Sequence, residues 1–376
     1  MIDILRLSRP QNLVIIALTM ITMRVAVING IIERGLIKFF EAADVVTERQ
    51  YEESDIIRNK SRRNFISRYL YYEFGYLLKP IKYKDVDLPS SMKPQLPWSL
   101  FLLLIGSTVL IAAGGNVIND YFDTRIDRIN KPDKVIVGRR VKRRVAITTH
   151  LALSGLGLLL GVFVAWRTGM LQWALIPAFS IGALWTYSTT FKRQLIIGNG
   201  LVATLTALVP LTVGLYELPL LKRAFATPQV LTLSDGTQYE MEPVLPEFWY
   251  WILGYAAFAF MSTLVRELQK DMADVKGDEA EGCRTVPIVW GMRWAKGLAL
   301  FHIAVIITGL LLVRAWLPDH SLTYWYIGIG IIGPLLLSAG FTYIAHSRKE
   351  HVTAGHIMKL AMLMAIGYTL IIPSLP

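Results

Sequence analysis

Six side chains are spaced so that together they could grip a cation. Asn119, Asp123 and Asp127 fall at i, i+4 and i+8, and Asp271, Asp274 and Asp278 at i, i+3 and i+7. At about 100° per residue, eight residues return to within about 80° of whole turns, so each trio lies along one side of a helix. Like charges stacked that way repel by a few tenths of a kcal/mol per pair, and something cationic is needed to compensate. Hard divalent ions such as Mg²⁺ suit the position, because they bind a few carboxylates and complete their shells with water and phosphate oxygens. Two such faces across one cavity could hold metal ions around a diphosphate, with Lys192, Arg193, Arg266 and Lys270 as candidates for its remaining charge. A plainer alternative makes these acids solvated helix ends, paired with local Lys and Arg. Cysteine and paired-histidine spacings that suit zinc are absent, as is a Walker loop, which argues against zinc and against nucleotide-driven transport.

The elements that must position these residues are membrane helices. Of the 376 residues, 53% are apolar and only 18% charged, and the mean hydropathy is +0.44. That is too little charge to coat a water-facing surface of this size. Crossing a hydrocarbon core takes about 20 mostly apolar residues. Nine stretches reach or approach this: 13–31, 98–119, 145–166, 171–188, 196–216, 248–266, 295–315, 325–345 and 357–372. Helices satisfy their own backbone hydrogen bonds in lipid, and these runs are too long for barrel strands. The acid trios stand at the ends of the second and sixth runs.

The formal charge of +11 could suggest nucleic acid, but its placement reads as topology. Segment 120–144 holds nine Lys and Arg; Lys192 and Arg193 follow run four, and Arg348 and Lys349 follow run eight. By contrast, 217–247 has only Lys222 and Arg223 against five acids. Alternate loops are therefore basic, which predicts a multi-pass integral protein of the cell membrane, its N-terminus and both acid trios facing the cytosol. No nucleic-acid partner is expected. The first run lacks a small-residue cleavage site and reads as an anchor.

Three parts follow: a first transmembrane helix over 1–32, a polar outer-face insertion over 33–95, and the remaining eight-helix bundle over 96–376. The insertion carries 12 basic and 10 acidic residues, and its aromatic stretch 69–76 suits the headgroup level. Alternation around Asp235-Gly236 predicts a small hairpin over 231–239 on the same face. Arg24, inside the first run, needs a buried partner or a polar cavity. The single cysteine, Cys283, can form no internal disulfide, and the scattered histidines are assigned no catalysis.

Written out, the first trio reads Asn119-Asp120-Tyr121-Phe122-Asp123-x-x-Ile126-Asp127-x-x-Asn130-Lys131-Pro132, and the second Lys270-Asp271-x-x-Asp274-x-x-Gly277-Asp278. This pair of motifs resembles the UbiA superfamily of intramembrane prenyltransferases. Supporting matches are Arg9-Pro10-Gln11-Asn12, Tyr187-Ser188, Lys192 and Gly198-Asn199, and the resemblance covers nearly the whole chain outside 33–95. It implies an all-α membrane protein, a nine-transmembrane-helix UbiA-type bundle with a polar insertion between helices 1 and 2. It implies Mg²⁺-dependent transfer of a polyprenyl group from its diphosphate to a lipid acceptor. Asn119, Asp123 and Asp127 then correspond to the first metal–diphosphate motif, and Asp271, Asp274 and Asp278 to the second. Asp123, Asp127, Asp274 and Asp278 would be the metal ligands. Diphosphate binding would fall to Lys192, Arg193, Arg266, Lys270, Tyr187 and Asn12.

Within the superfamily the motifs look most like the archaeal-type digeranylgeranylglyceryl phosphate synthases, which add a geranylgeranyl group to geranylgeranylglyceryl phosphate. After Lys131-Pro132, however, Val135-Ile136-Val137-Gly138-Arg139-Arg140 replaces the Pro-Ser-Gly-like turn usual there. The acceptor therefore stays open. An aromatic quinone precursor is the enzymatic alternative, and a secondary transporter of an anionic substrate is the alternative of another class. Nothing in the sequence fixes an oligomeric state. The expected chemistry is ionisation of an allylic C–O bond, with the tail in an apolar tunnel and water excluded. Tyr187, Trp185 and Tyr121 could stabilise the cation through their ring faces, or serve only as packing.

Overall fold

The computed structural model describes residues 2–32, 34–35, 93–226, 229–232, 238–241, 245–317 and 320–375. Apart from one hairpin and short connections, the described chain is helical. Short α1 (Ile2–Leu7) leads into α2 (Pro10–Thr22), with Pro10 in the first turn, where its missing N–H costs nothing. A π turn over Met23–Ile28 continues α2 and buries five of its six residues, Arg24 among them. Then come α3 (Trp98–Phe122), α4 (Thr124–Asn130), α5 (Arg143–Arg167), α6 (Leu175–Thr189), α7 (Ile197–Ala224) and α8 (Leu245–Ala280). After α9 (Val286–Val289) and α10 (Met292–Trp316), α11 (Ser321–Trp325) passes through a second π turn into α12 (Gly333–Ile344), and α13 (Arg348–Tyr368) closes the bundle.

Seven helical spans among the described residues are long and apolar enough to cross a membrane. Large apolar side chains point outward from them: Leu159, Leu312, Trp316, Ile329 and Tyr343 are all more than 60% exposed. A water-soluble fold would bury such residues; hydrocarbon favours them where they are. Two of the nine expected runs differ. Run four folds as α6, only 15 residues long after a 3₁₀ turn. Run nine begins well before Ile357, because Ser347 and Glu350 form a capping box that starts α13 at Arg348. That helix carries Arg348, Lys349, Glu350 and Lys359, and it is too polar to match the other spans.

The hairpin expected around 231–239 forms, as β1 (Gln229–Thr232) antiparallel to β2 (Gln238–Met241) with Thr232 opposite Gln238. Its Asp235-Gly236 turn lies outside the described residues, as does the insertion apart from 34–35 and 93–95, including the aromatic stretch 69–76.

Two contacts orient the first helices. Asn116 Nδ2 donates to the carbonyl of Ser8 at 2.9 Å, which sets the start of α2 beside the end of α3. At the other end, the Arg24 guanidinium lies 4.5 Å from the Trp98 ring and 4.7 Å from that of Phe101. From Phe101 to Asp123 along α3 is about 33 Å at 1.5 Å per residue, roughly the thickness of a hydrocarbon core. Charges near Arg24 and charges near Asp123 therefore belong to opposite ends of the bundle. Interhelical hydrogen bonds lock the interior: Ser107 Oγ to the Gly157 carbonyl at 2.6 Å, and Gln269 Nε2 to Ser338 Oγ at 2.9 Å and Thr342 Oγ1 at 2.8 Å.

Candidate active site

The first motif does not lie on one unbroken helix. α3 ends at Phe122, and Asp123, with φ −75° and ψ 0°, is the junction to α4. The stack survives the break, because the Asp123 N–H still reaches the Asn119 carbonyl at 2.9 Å and the Asp127 N–H that of Asp123 at 2.8 Å. Asn119 Nδ2 donates to Asp123 Oδ2 at 2.8 Å. Asn119 and Asp123 are buried, Asp127 half-buried. Burial pushes the Asp127 carboxyl above the ordinary carboxylate range, and Lys131 opposes the shift.

The second motif occupies the last turns of α8, whose 36 residues reach about 54 Å, well beyond a hydrocarbon core. Asp274 and Asp278 are buried there, and Asp271 accepts from Asn199 Nδ2 at 2.8 Å. The two motifs face each other across short bridges. Lys131 Nζ lies 3.8 Å from Asp127 Oδ1 and 3.2 Å from Asp274 Oδ2. Asn130 clamps the same seam, donating to the Asp274 carbonyl at 2.9 Å and accepting from the Gly277 N–H at 3.0 Å. Glycine is required at 277, since a Cβ there would stand 2.5 Å from Asn130 Nδ2.

Cations arrive from three further elements. Lys192 pairs with Asp123, held by a loop that turns through Ile196 at φ 64°, an unusual conformation for a β-branched residue. Gly198 lets that loop fold back: a Cβ would lie 2.6 Å from the Phe191 carbonyl oxygen and 3.2 Å from Lys192 Cα. Burial pulls the Lys192 ammonium down, but the charge and hydrogen bond of Asp123, with Tyr187, together hold the group above the ordinary lysine range. Arg348 reaches Asp274 Oδ1 at 3.3 Å. On α8 the buried Glu267 takes Arg266 at 2.7 Å and Lys270 at 3.3 Å. Asn12 accepts from Lys359 Nζ at 2.8 Å.

Of the residues expected from sequence, the structure thus brings together Asn119, Asp123, Asp127, Asp274 and Lys192, with Asp271 and Asp278 on the facing helix. Tyr187 is buried with Lys270 and Lys192 as electrostatic neighbours. Arg193 is exposed and does not join; its carbonyl instead accepts from the Arg284 N–H at 2.9 Å. Tyr121 carries Arg143 over its ring at 4.2 Å, and Trp185 packs on His150 and Phe122. Sequence reasoning missed Glu267, Asn199, Arg348 and Lys359. Glu267 was findable: an acid inside an apolar run, between Arg266 and Lys270, is costly unless paired. Arg24 finds the buried partner it requires in Glu217, far from this site.

Among the described residues no group of three or more His, Cys, Asp or Glu converges closely enough to hold an ion unaided. The available donors are nonetheless all hard oxygens, and Asn119 Oδ1 is buried without a hydrogen-bond partner beside Asp123. Such a set fits Mg²⁺, which draws most of its shell from water and phosphate oxygens. Below the acids opens a largely apolar cavity of about 260 Å³. Its lining runs along α7 from Val202 to Tyr216 and carries Asn12, Asn116, Arg266 and Lys359 as its polar members near the acid end.

Comparison with known proteins agrees with this layout. The chain is 28% identical over 281 residues to the digeranylgeranylglyceryl phosphate synthase of Thermococcus sibiricus, covering 73% of this chain and 84% of that one. It is 33% identical over 201 residues to the synthase of the same name from Methanothermobacter thermautotrophicus, covering 53% and 59%. The fold is shared with the apo structure of a UbiA homolog from Aeropyrum pernix K1, at TM-score 0.52, 15% identity, and coverage of 75% and 92%. The UbiA prenyltransferase family model matches residues 90–363. An all-helical membrane bundle with paired aspartate motifs over an apolar cavity, matched over most of its length, is a prenyltransferase, and this chain belongs to the UbiA prenyltransferase family.

Proposed function

We propose that this chain transfers a geranylgeranyl group from its diphosphate to geranylgeranylglyceryl phosphate, in a Mg²⁺-dependent reaction. The observation that carries the reading is the meeting of the two aspartate motifs, Asp127 with Asp274 through Lys131 and the Asn130 clamp, with Lys192 on Asp123, beside an apolar cavity. The names of the sequence relatives support the donor and acceptor. Family membership as a prenyltransferase sets the transporter alternative aside.

In this reading Asp123, Asp127, Asp274 and Asp278 hold the metal, with Asn119 Oδ1 and Asp271 beside them. Bound Mg²⁺ supplies Lewis-acid neutralisation of charge developing on the leaving diphosphate. Lys192 and Lys270 bind and orient that diphosphate, with the Tyr187 hydroxyl beside them, and their ion pairs with Asp123 and Glu267 keep both ammonium groups charged and in place. The cavity takes up the apolar chains of both lipids and keeps water from the allylic cation. The allylic C–O bond breaks with its electron pair leaving on the diphosphate. The acceptor hydroxyl oxygen forms the new C–O bond and gives up its proton to the departing diphosphate. Arg193 is left out, because it is exposed and makes no ion pair with these acids among the described residues. Residues 33–95 act as an accessory segment, and the acid end faces the cytosol, as the basic loops require.

The test is purified protein with Mg²⁺ and labelled geranylgeranyl diphosphate, offered geranylgeranylglyceryl phosphate or an aromatic quinone precursor, with EDTA as control. The expected result is a Mg²⁺-dependent ether product with the glycerol acceptor. Product with the aromatic acceptor alone would replace the acceptor assignment.

A further inference from the structure

The cations of α8 and α13 near the cavity are not equally matched by acids. Glu267 gives one oxygen to Arg266 and the other to Lys270. Lys359 on α13 has no carboxylate among the described residues. Its one hydrogen bond goes to the neutral Oδ1 of Asn12, and Arg266 across the cavity repels it. Of these three cations Glu267 meets two, Lys359 meets none among the described residues, and Arg266 and Lys359 line the cavity. A cation at the rim of an apolar cavity inside a membrane bundle is expensive, and one left without a counter-charge marks the place where an anion binds.

Position says which anion. The residues proposed to hold the donor's diphosphate, Lys192 with Asp123, Asp274 and Asp278, are absent from the lining of this cavity, whereas Arg266, Lys359, Asn12 and Asn116 belong to it. Two basic groups thus stand side by side at one end of the bundle, Lys192 and Lys270 outside this cavity and Arg266 and Lys359 lining it, with Glu267 between them. The second group opens straight onto apolar surface, so its ligand carries an anionic head and a hydrocarbon tail. From this geometry we infer that Arg266 and Lys359, with Lys359 held by Asn12, form the site for the phosphate monoester of the lipid acceptor. The inference rests on the acceptor reading above and sharpens it: the enzyme selects its acceptor by the phosphate as well as by the hydroxyl that reacts. Lys359 is then a specificity-determining residue with no role at the breaking bond, and Asn12 and Arg266 serve the acceptor where the sequence reading assigned them to the donor.

Steady-state kinetics in detergent or liposomes test this with wild type, Lys359→Gln and Lys359→Arg, each with Mg²⁺ and geranylgeranyl diphosphate. Two acceptors are compared: geranylgeranylglyceryl phosphate and the same lipid alcohol without its phosphate. Wild type should prefer the phosphorylated acceptor, and Lys359→Gln should raise its KM by about tenfold or more, collapsing that preference. KM for geranylgeranyl diphosphate should move by less than about twofold, and Lys359→Arg should restore most of the loss. Asn12→Ala, which keeps the charge but frees it, should raise the same KM by a smaller factor. Should Lys359→Gln fail to fold, the wild-type comparison and Asn12→Ala still decide the matter. Equal use of the two acceptors by wild type, or a rise confined to the KM of the donor, would overturn the inference while leaving the transfer reaction standing. Transfer by wild type to neither glycerol lipid, with activity on some other acceptor, would instead remove the acceptor reading and this site with it.

Discussion

Two charged regions stand at opposite ends of one bundle and are built on different terms. At the Arg24 end, the guanidinium and the Glu217 carboxylate are almost wholly buried 3.6 Å apart, with side chains 3% and 1% exposed. Glu217 also accepts from the backbone N–H groups of Gln95 and Leu96, the guanidinium donates to the Leu96 carbonyl, and Trp98 and Phe101 close over it. This knot ties α2, α7 and the chain just before α3. At the Asp123 end, the cations of the ion pairs are more exposed than Arg24 is; Lys131, Glu267 and Asp274 are each shared between two partners, and Asp278 is buried without an ion-pair partner among the described residues. Opposite charges matched one to one and sealed from solvent fix a fold, even though Arg24 Nε and Nη1 and Glu217 Oε2 make no hydrogen bond there. Charge shared unevenly at an accessible mouth is free to re-pair with a ligand, as the proposed function requires. Both kinds look alike along a sequence.

The contrast can be broken from either side. Asp123→Ala or Asp274→Ala should lower turnover by about 10³-fold, as loss of a charge-stabilising group in an active site does, while the purified protein keeps its thermal midpoint and elution volume. Retained turnover would dissolve the functional half of the comparison. Arg24→Met should do the reverse, costing about 3–5 kcal/mol of stability by stranding a buried Glu217. Arg24→Met with Glu217→Gln should regain much of that loss, and turnover per folded molecule should stay that of wild type. A smaller effect is expected at the seam between the aspartate motifs. Gly277→Ala pushes Asn130 off its clamp and should cut kcat/KM by up to about a hundredfold through displacement of Asp274, at about 1–3 kcal/mol of overpacking. The smallest signal comes from Cys283. It is 3% exposed, and burial, with Asp278 nearby, pushes its thiol up to about 11. Below that value the thiolate is scarce, so maleimide labelling at pH 7.5 should be slow in the folded protein, speed up as pH rises, and become complete on unfolding. Fast labelling at neutral pH would place Cys283 in an open, polar setting instead.

Much of this was legible along the chain. Apolar runs located the helices, because the cost of exposing backbone polar groups to lipid is local and large. The paired aspartates stood out because repeated acids at helix ends need compensation. The hairpin followed from alternation about a turn. Where the reading slipped, the cause was a local signal outweighed by another. Ser347 and Glu350 start α13 earlier than hydropathy suggests, and Asp123 breaks a helix that its i+4 spacing would continue. Lys359 was not legible as a site residue at all, for it meets Asn12 across 347 residues of sequence.

By itself, then, the sequence determined that the chain would enter a membrane as helices, and that its acids would gather where those helices leave the hydrocarbon. Transfer energies act on each segment separately, and so they can be read from each segment separately. Which cation meets which acid was decided only by the packed bundle: Lys192 with Asp123, Lys131 and Arg348 with Asp274, Arg24 with Glu217, and Lys359 with no acid among the described residues. Electrostatic pairing falls off with distance between side chains, and that distance is set by how helices far apart in sequence come to lie against one another.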